Sequence, residues 1–150
     1  MTHRFDKEQI EGINTILQHG FVDQGVHCVF LVDMAGNDIA YRDGSTFTNA
    51  ERLLPALAAS NFAAVNAMAR IIGDDQFDLI FHKGKNENIH FRKVTMDLLL
   101  VCIFGSDFPL GLLRILMNES IKKLRKILFF QDIFSGGTFN GDEIEIMEFR

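Results

Sequence analysis

Two short segments, Val26–Asp33 (VHCVFLVD) and Asp97–Phe104 (DLLLVCIF), are apolar at nearly every position rather than at every second one. Successive side chains of a strand point to opposite faces, so a strand that is apolar on both faces must be covered on both. Both runs are too short for an ordinary helix. They read as central strands of one sheet, and that sheet needs helices on each side.

The flanking segments supply those helices. Asp6–His19 carries Ile10, Ile13, Ile16 and Leu17 at helical spacing and stops at Gly20. Met34-Ala35-Gly36-Asn37 turns the first central strand into a return strand that begins with Asp38–Tyr41. Phe77–Lys83 and Glu87–Lys93 alternate about a Gly84-Lys85-Asn86 turn, with Phe77, Leu79 and Phe81 on one face. Pro109–Phe130 repeats Leu110, Leu113, Met117, Ile121, Leu124 and Leu128 at helical spacing. The predicted order is α-β-β-α-β-β-β-α. This is an α+β, three-layer α-β-α sandwich of profilin-like build around a five-stranded, mainly antiparallel sheet. One domain is expected over residues 1–130. A tail follows over 131–150, where Ser135-Gly136-Gly137-Thr138 reads as a flexible link before the acidic DEIEIMEFR.

The second helix, within Asn49–Gly73, is rich in alanine. Thr48 and Glu51 have the spacing of a capping box, and Pro55 predicts a bend or a later start. At about 100° per residue, Leu53, Leu57, Ala64, Met68 and Ile71 form one stripe, edged by Leu54, Val65 and Ile72. That stripe of large residues is expected to lie on the sheet, with Asn61 at its centre needing a hydrogen-bond partner. Beside it run the small residues Ala56, Ser60, Ala63 and Ala67, which suit close approach by another helix. Phe62 projects away from the large-residue face.

Charge and motifs narrow the chemistry. The net charge is −5, with a pI near 5.5, which argues against general nucleic-acid or anionic-membrane binding. No apolar run approaches the about 20 residues of a membrane span, so membrane insertion is not expected. The polar start MTHRFDKEQ does not read as a signal peptide. Cys28 and Cys102 lie in apolar runs and read as buried thiols of a cytoplasmic protein. P-loop and Gly-x-Ser-x-Gly motifs are both missing from the sequence. No catalytic, cofactor or metal residues are assigned. His82 and His90 share a predicted hairpin but lack a clear third ligand. Lys122, Lys123, Arg125 and Lys126 read as a solvated cationic face near the end of the third helix. A docking patch for an acidic segment is the other reading of it.

Phe30–Ala40 (FLVDMAGNDIA), Leu54–Gly73 (LPALAASNFAAVNAMARIIG), Leu98–Phe104 (LLLVCIF) and Pro109–Ile115 (PLGLLRI) follow one another at a distinctive spacing. Together they resemble the roadblock / dynein light chain family, and within it the bacterial MglB-like members, over about residues 6–130. The resemblance implies a homodimer, with second helices packed together and sheets joined through the third strands. Its interface would be Ala56, Ser60, Ala63, Ala67, Phe77, Leu79 and Phe81. The resemblance also implies regulation of a small Ras-like GTPase by a non-enzymatic partner. Exposed helix positions, chiefly Ala59, Phe62, Asn66 and Arg70, are expected to touch that GTPase. Arg70 is expected as an exposed salt-bridge or interface contact rather than a catalytic finger. A non-catalytic adaptor that tethers complexes is the alternative. A small-ligand sensor of related build is a third reading, and no convergent polar cluster supports it.

Overall fold

In the computed structural model the described residues are 5–44, 50–74 and 78–134, with side chains described for 5–44, 53–74 and 78–129. The elements are α1 (Lys7–Gly20), a 3-10 turn (Val22–Gln24), β1 (Cys28–Asp33), β2 (Asp38–Asp43), α2 (Ala50–Ile71), β3 (Leu79–Lys83), β4 (Glu87–Lys93), β5 (Leu98–Gly105) and α3 (Leu110–Phe134). The order matches the sequence reading. The proposed Thr48–Glu51 cap, Phe77 and the segment after Phe134 lie outside the described residues. α3 runs four residues beyond the expected Phe130.

All five strands form one antiparallel sheet in the order β2-β1-β5-β4-β3. The strands apolar on both faces, β1 and β5, are interior, and every residue in them is buried. α1 and α3 cover one face over a core that includes Ile13, Leu17, Leu31, Leu100, Phe104, Leu113 and Met117. α2 covers the other, over Phe30, Phe91, Leu99, Val101 and Ile103.

Local chemistry sets the joints. Asp6 caps α1: its carboxylate accepts from the Gln9 N–H at 2.7 Å, and the Gln9 side chain accepts from the Asp6 N–H at 3.0 Å. Asp33 closes the β1–β2 hairpin, accepting from the N–H groups of Ala35 and Asn37 at 3.0 and 2.9 Å. Gly36, at φ 93°, takes the left-handed position of that turn. Its Cα sits so close to α2 that a Cβ there would lie 3.1 Å from the Ala56 Cα. The hairpin tip thus seats the first half of α2. α2 begins before Pro55, which is buried within it, so the expected late start is not seen.

Candidate functional site

α2 has two apolar faces, and the structure reverses their expected roles. Phe62 is fully buried, and Ala58, Ala59 and Ala69 are buried beside it. These residues lie on the sheet. The large-residue stripe points away from it: Leu53 is 61%, Leu57 62%, Met68 57%, Ile71 85% and Ile72 75% exposed. Phe62 and Leu53 are about 180° apart around the helix. Size explains the reversal. The sheet offers bulk in Phe30 and Phe91, so close packing needs small helix residues with one phenylalanine between them. Periodicity finds both faces but does not say which one the sheet will take.

Three expected contact residues move with that reversal. Ala59, Phe62 and Asn66 are buried against the sheet, which removes them from surface contact. Arg70 remains exposed in the last turn of α2. Ala56, Ser60 and Ala63 are exposed and Ala67 is half-buried, flanking the large stripe. Leu79 is exposed on β3, whereas Phe81 is partly buried and its ring packs 6.2 Å from that of Phe104.

The exposed stripe is symmetric in sequence. Leu53 and Ile72, Leu57 and Met68, and Asn61 and Ala64 stand at equal distances from a point between Phe62 and Ala63. An antiparallel copy of the same helix would therefore place large residues against large residues at both ends. It would place Asn61, Ser60 and Ala64 at the crossing. The stripe continues onto the sheet edge. Asn61 is exposed rather than buried, and its Oδ1 lies 3.3 Å from Nε2 of His82 on β3. β3 pairs only with β4, so its outer edge is open among the described residues.

The remaining candidates are structural. His82 and His90 face opposite sides of the sheet: His82 lies edge-on to Phe91 beneath α2, and His90 lies beside Phe81 beneath α3. They cannot share a metal ion. Cys28 is buried, and burial pushes its thiol up to about 11, so at neutral pH it is not a nucleophile. Cys102 is buried on the other face and is raised for the same reason. His27 reaches across Gly105 to Glu87, with Nδ1 2.8 Å from Oε1, and ties the start of β1 to the start of β4. Arg125 donates to the Val94 carbonyl at 2.8 Å, so it belongs to the packing of α3 rather than to a cationic surface. Lys122, Lys123 and Lys126 are exposed, but α3 continues two turns past them, so they do not cap its end as expected. No described helix is long and apolar enough to cross a membrane.

Residues 13–104 match the Roadblock/LC7 domain family. Among solved structures, Myxococcus xanthus MglB superposes with a TM-score of 0.76 at 28% identity, over 85% of this chain and 94% of that one. The gliding protein MglB of Thermus thermophilus superposes with a TM-score of 0.68 at 21% identity, over 85% and 93%. Profilin IA of Acanthamoeba castellanii shares the fold more distantly, with a TM-score of 0.51 at 19% identity, over 74% and 94%. A search of curated proteins by sequence returned no match.

Proposed function

Because the chain belongs to the Roadblock/LC7 domain family, we propose that it is a homodimeric, non-enzymatic regulator of a small Ras-like GTPase, working in the cytoplasm. The observation that carries the reading is the exposed, sequence-symmetric stripe Leu53, Leu57, Asn61, Ala64, Met68 and Ile72 on α2. A contiguous apolar face on a folded domain marks an interaction surface. Its symmetry suits a second copy of itself, the arrangement of a two-fold interface. The small flank of Ala56, Ser60 and Ala63 lets the helices approach, and the open edge of β3, with Leu79 on it, lies on the other side of the stripe, beside Asn61.

The likeness to MglB of Myxococcus xanthus supports the GTPase side of the proposal. Arg70 is exposed in the last turn of α2 beside the small flank, a position from which it would meet a partner without belonging to the large-residue stripe. Regulation then follows from differential binding: a surface that holds one nucleotide state better shifts the GTPase toward it.

The test is a pair of measurements on purified protein. Light scattering on a sizing column gives the oligomeric state, and a dimer is expected. A Ras-like GTPase from the same source is then loaded with GDP or a non-hydrolysable GTP analogue and titrated. Preference for one state with changed GTP turnover supports the regulator. Binding with unchanged turnover in both states moves the reading to an adaptor, and a monomer that binds neither state rejects it.

A further inference from the structure

We propose that the lysine face of α3 is the docking surface for the chain's own acidic segment, Asp142–Phe149 (DEIEIMEF). Charge is the first ground. The chain is net acidic, yet residues 110–126 hold five basic side chains (Arg114, Lys122, Lys123, Arg125 and Lys126) against the single acidic Glu119. Arg125 is used internally. Lys122, Lys123 and Lys126 are exposed on consecutive turns and form no ion pair among the described residues, with only Glu119, one turn before Lys122 and Lys123, on the same face. Three like charges so placed repel one another, and an acidic partner relieves that cost. Asp142, Glu143, Glu145 and Glu148 hold four of the chain's twenty carboxylates in seven residues.

The order of chemistry along the two segments is the second ground. Read backward along the described side chains, which end at Phe129, α3 exposes first Lys126, Lys123 and Lys122, then Glu119, and then the apolar Ile115 and Leu112. Read forward, the segment brings mainly acidic residues first and then Ile146, Met147 and Phe149. A segment that doubles back along the helix matches acid to lysine and apolar to apolar. The distances permit it. Lys126 lies about 12 Å of helix before Phe134. The connector, residues 135–141, spans up to about 24 Å. Eight residues in extended form cover about 26 Å, more than the about 16 Å of helix between Lys126 and Ile115.

Zero-length carbodiimide cross-linking of the full chain, read by mass spectrometry, tests this. An equal mixture of isotope-labelled and unlabelled protein separates links within a copy from links between copies. The expected result is that Glu143, Glu145 or Glu148 links to Lys122, Lys123 or Lys126 within one copy. The yield should fall at least about fivefold from 20 mM to 500 mM salt, as an exposed ion-pair contact requires. A charge swap should behave as a pair: Lys122→Glu with Lys126→Glu abolishes affinity for the acidic segment, and hydrogen exchange on residues 112–126 rises. Adding Glu143→Lys and Glu145→Lys restores the protection. Links spread evenly over Lys7, Lys83, Lys85 and Lys93, links confined to pairs of copies, or exchange on α3 that ignores all four substitutions would overturn the proposal. Because the readout needs no GTPase and does not touch α2, it stands or falls separately from the dimer reading.

Discussion

Oδ1 of Asn61 on α2 lies 3.3 Å from Nε2 of His82 on β3. This contact makes the outer face of the helix and the open edge of the sheet one continuous surface. On the dimer reading, a second copy that covers the Leu57–Met68 stripe would also reach β3, whose outer backbone N–H and C=O groups pair with no strand among the described residues. An uncovered edge is a route to unwanted association, and self-pairing removes it.

The dimer reading predicts a separation between assembly and folding. Leu57→Asp with Met68→Asp places charges in the exposed stripe without touching the buried face. Helix content and thermal midpoint of the monomer should hold, while dimer affinity should fall at least about 100-fold, two anchors of about 2 kcal/mol each allowing more. Sedimentation velocity across a concentration series measures it. An unchanged dimer places the interface elsewhere.

Phe62 predicts the opposite behaviour. It is fully buried among Phe30, Phe91, Leu99 and Val101. Phe62→Ala should cost about 3–5 kcal/mol of monomer stability by opening a cavity. Urea unfolding of the Leu57→Asp, Met68→Asp background reads that loss free of dimer linkage. A loss below about 1 kcal/mol would show that the side chain is not part of the core.

These two positions also show what the sequence conveys and what it withholds. The continuous apolar runs of β1 and β5 carry the sheet, its layers and its interior strands, because covering both faces is a requirement of any strand so composed. The spacing on α2 carries the existence of two faces. It does not carry their assignment, since hydrophobicity ranks Leu53 and Leu57 above Ala58 and Ala59 whichever side they occupy. The deciding quantity is the space left by Phe30 and Phe91, which belong to strands distant in sequence. Alternation on β4 misleads in the same way. It marks Asn88 and His90 as an outward polar face, yet α1 and α3 cover that face and both residues are buried. The length of α3 was legible only to Phe130, because the leucine repeat ends before the helix does.

Gly36 offers a test of how the hairpin seats α2. A Cβ there meets the Ala56 backbone at 3.1 Å, and the residue has φ 93°. Backbone atoms cannot swing aside as a side-chain end can. Gly36→Ala should therefore cost about 1–3 kcal/mol from strain and displacement together. Asn at this position tolerates the left-handed region better but still carries a Cβ. If the contact matters beyond the turn itself, Gly36→Asn also destabilises in urea unfolding, by a similar amount.

His90 sets a pH dependence. It is fully buried beside Phe81, and neither ring nitrogen has a hydrogen-bond partner among the described residues. Burial, with the positive charges of Arg114 on α3 and Arg92 on β4, pushes it from 6.5 down to about 4. The sign follows from proton counts. Between those values the unfolded chain binds a proton that the folded chain refuses, so stability falls as pH drops. The contribution is intact above about 6.5 and fully lost below about 4, a change of up to about 3 kcal/mol at 1.36 kcal/mol per unit. His90→Leu removes both the titration and the unpartnered nitrogens. At pH 7 it should match or exceed the native protein by about 1–2 kcal/mol, because an apolar group replaces an unsatisfied polar one. Its advantage should then widen steadily in urea unfolding at pH 6, 5 and 4.5. Parallel stability curves for the two proteins across that range would show that His90 keeps its proton equilibrium on folding, and that the pocket beneath α3 is more open to water than its burial indicates.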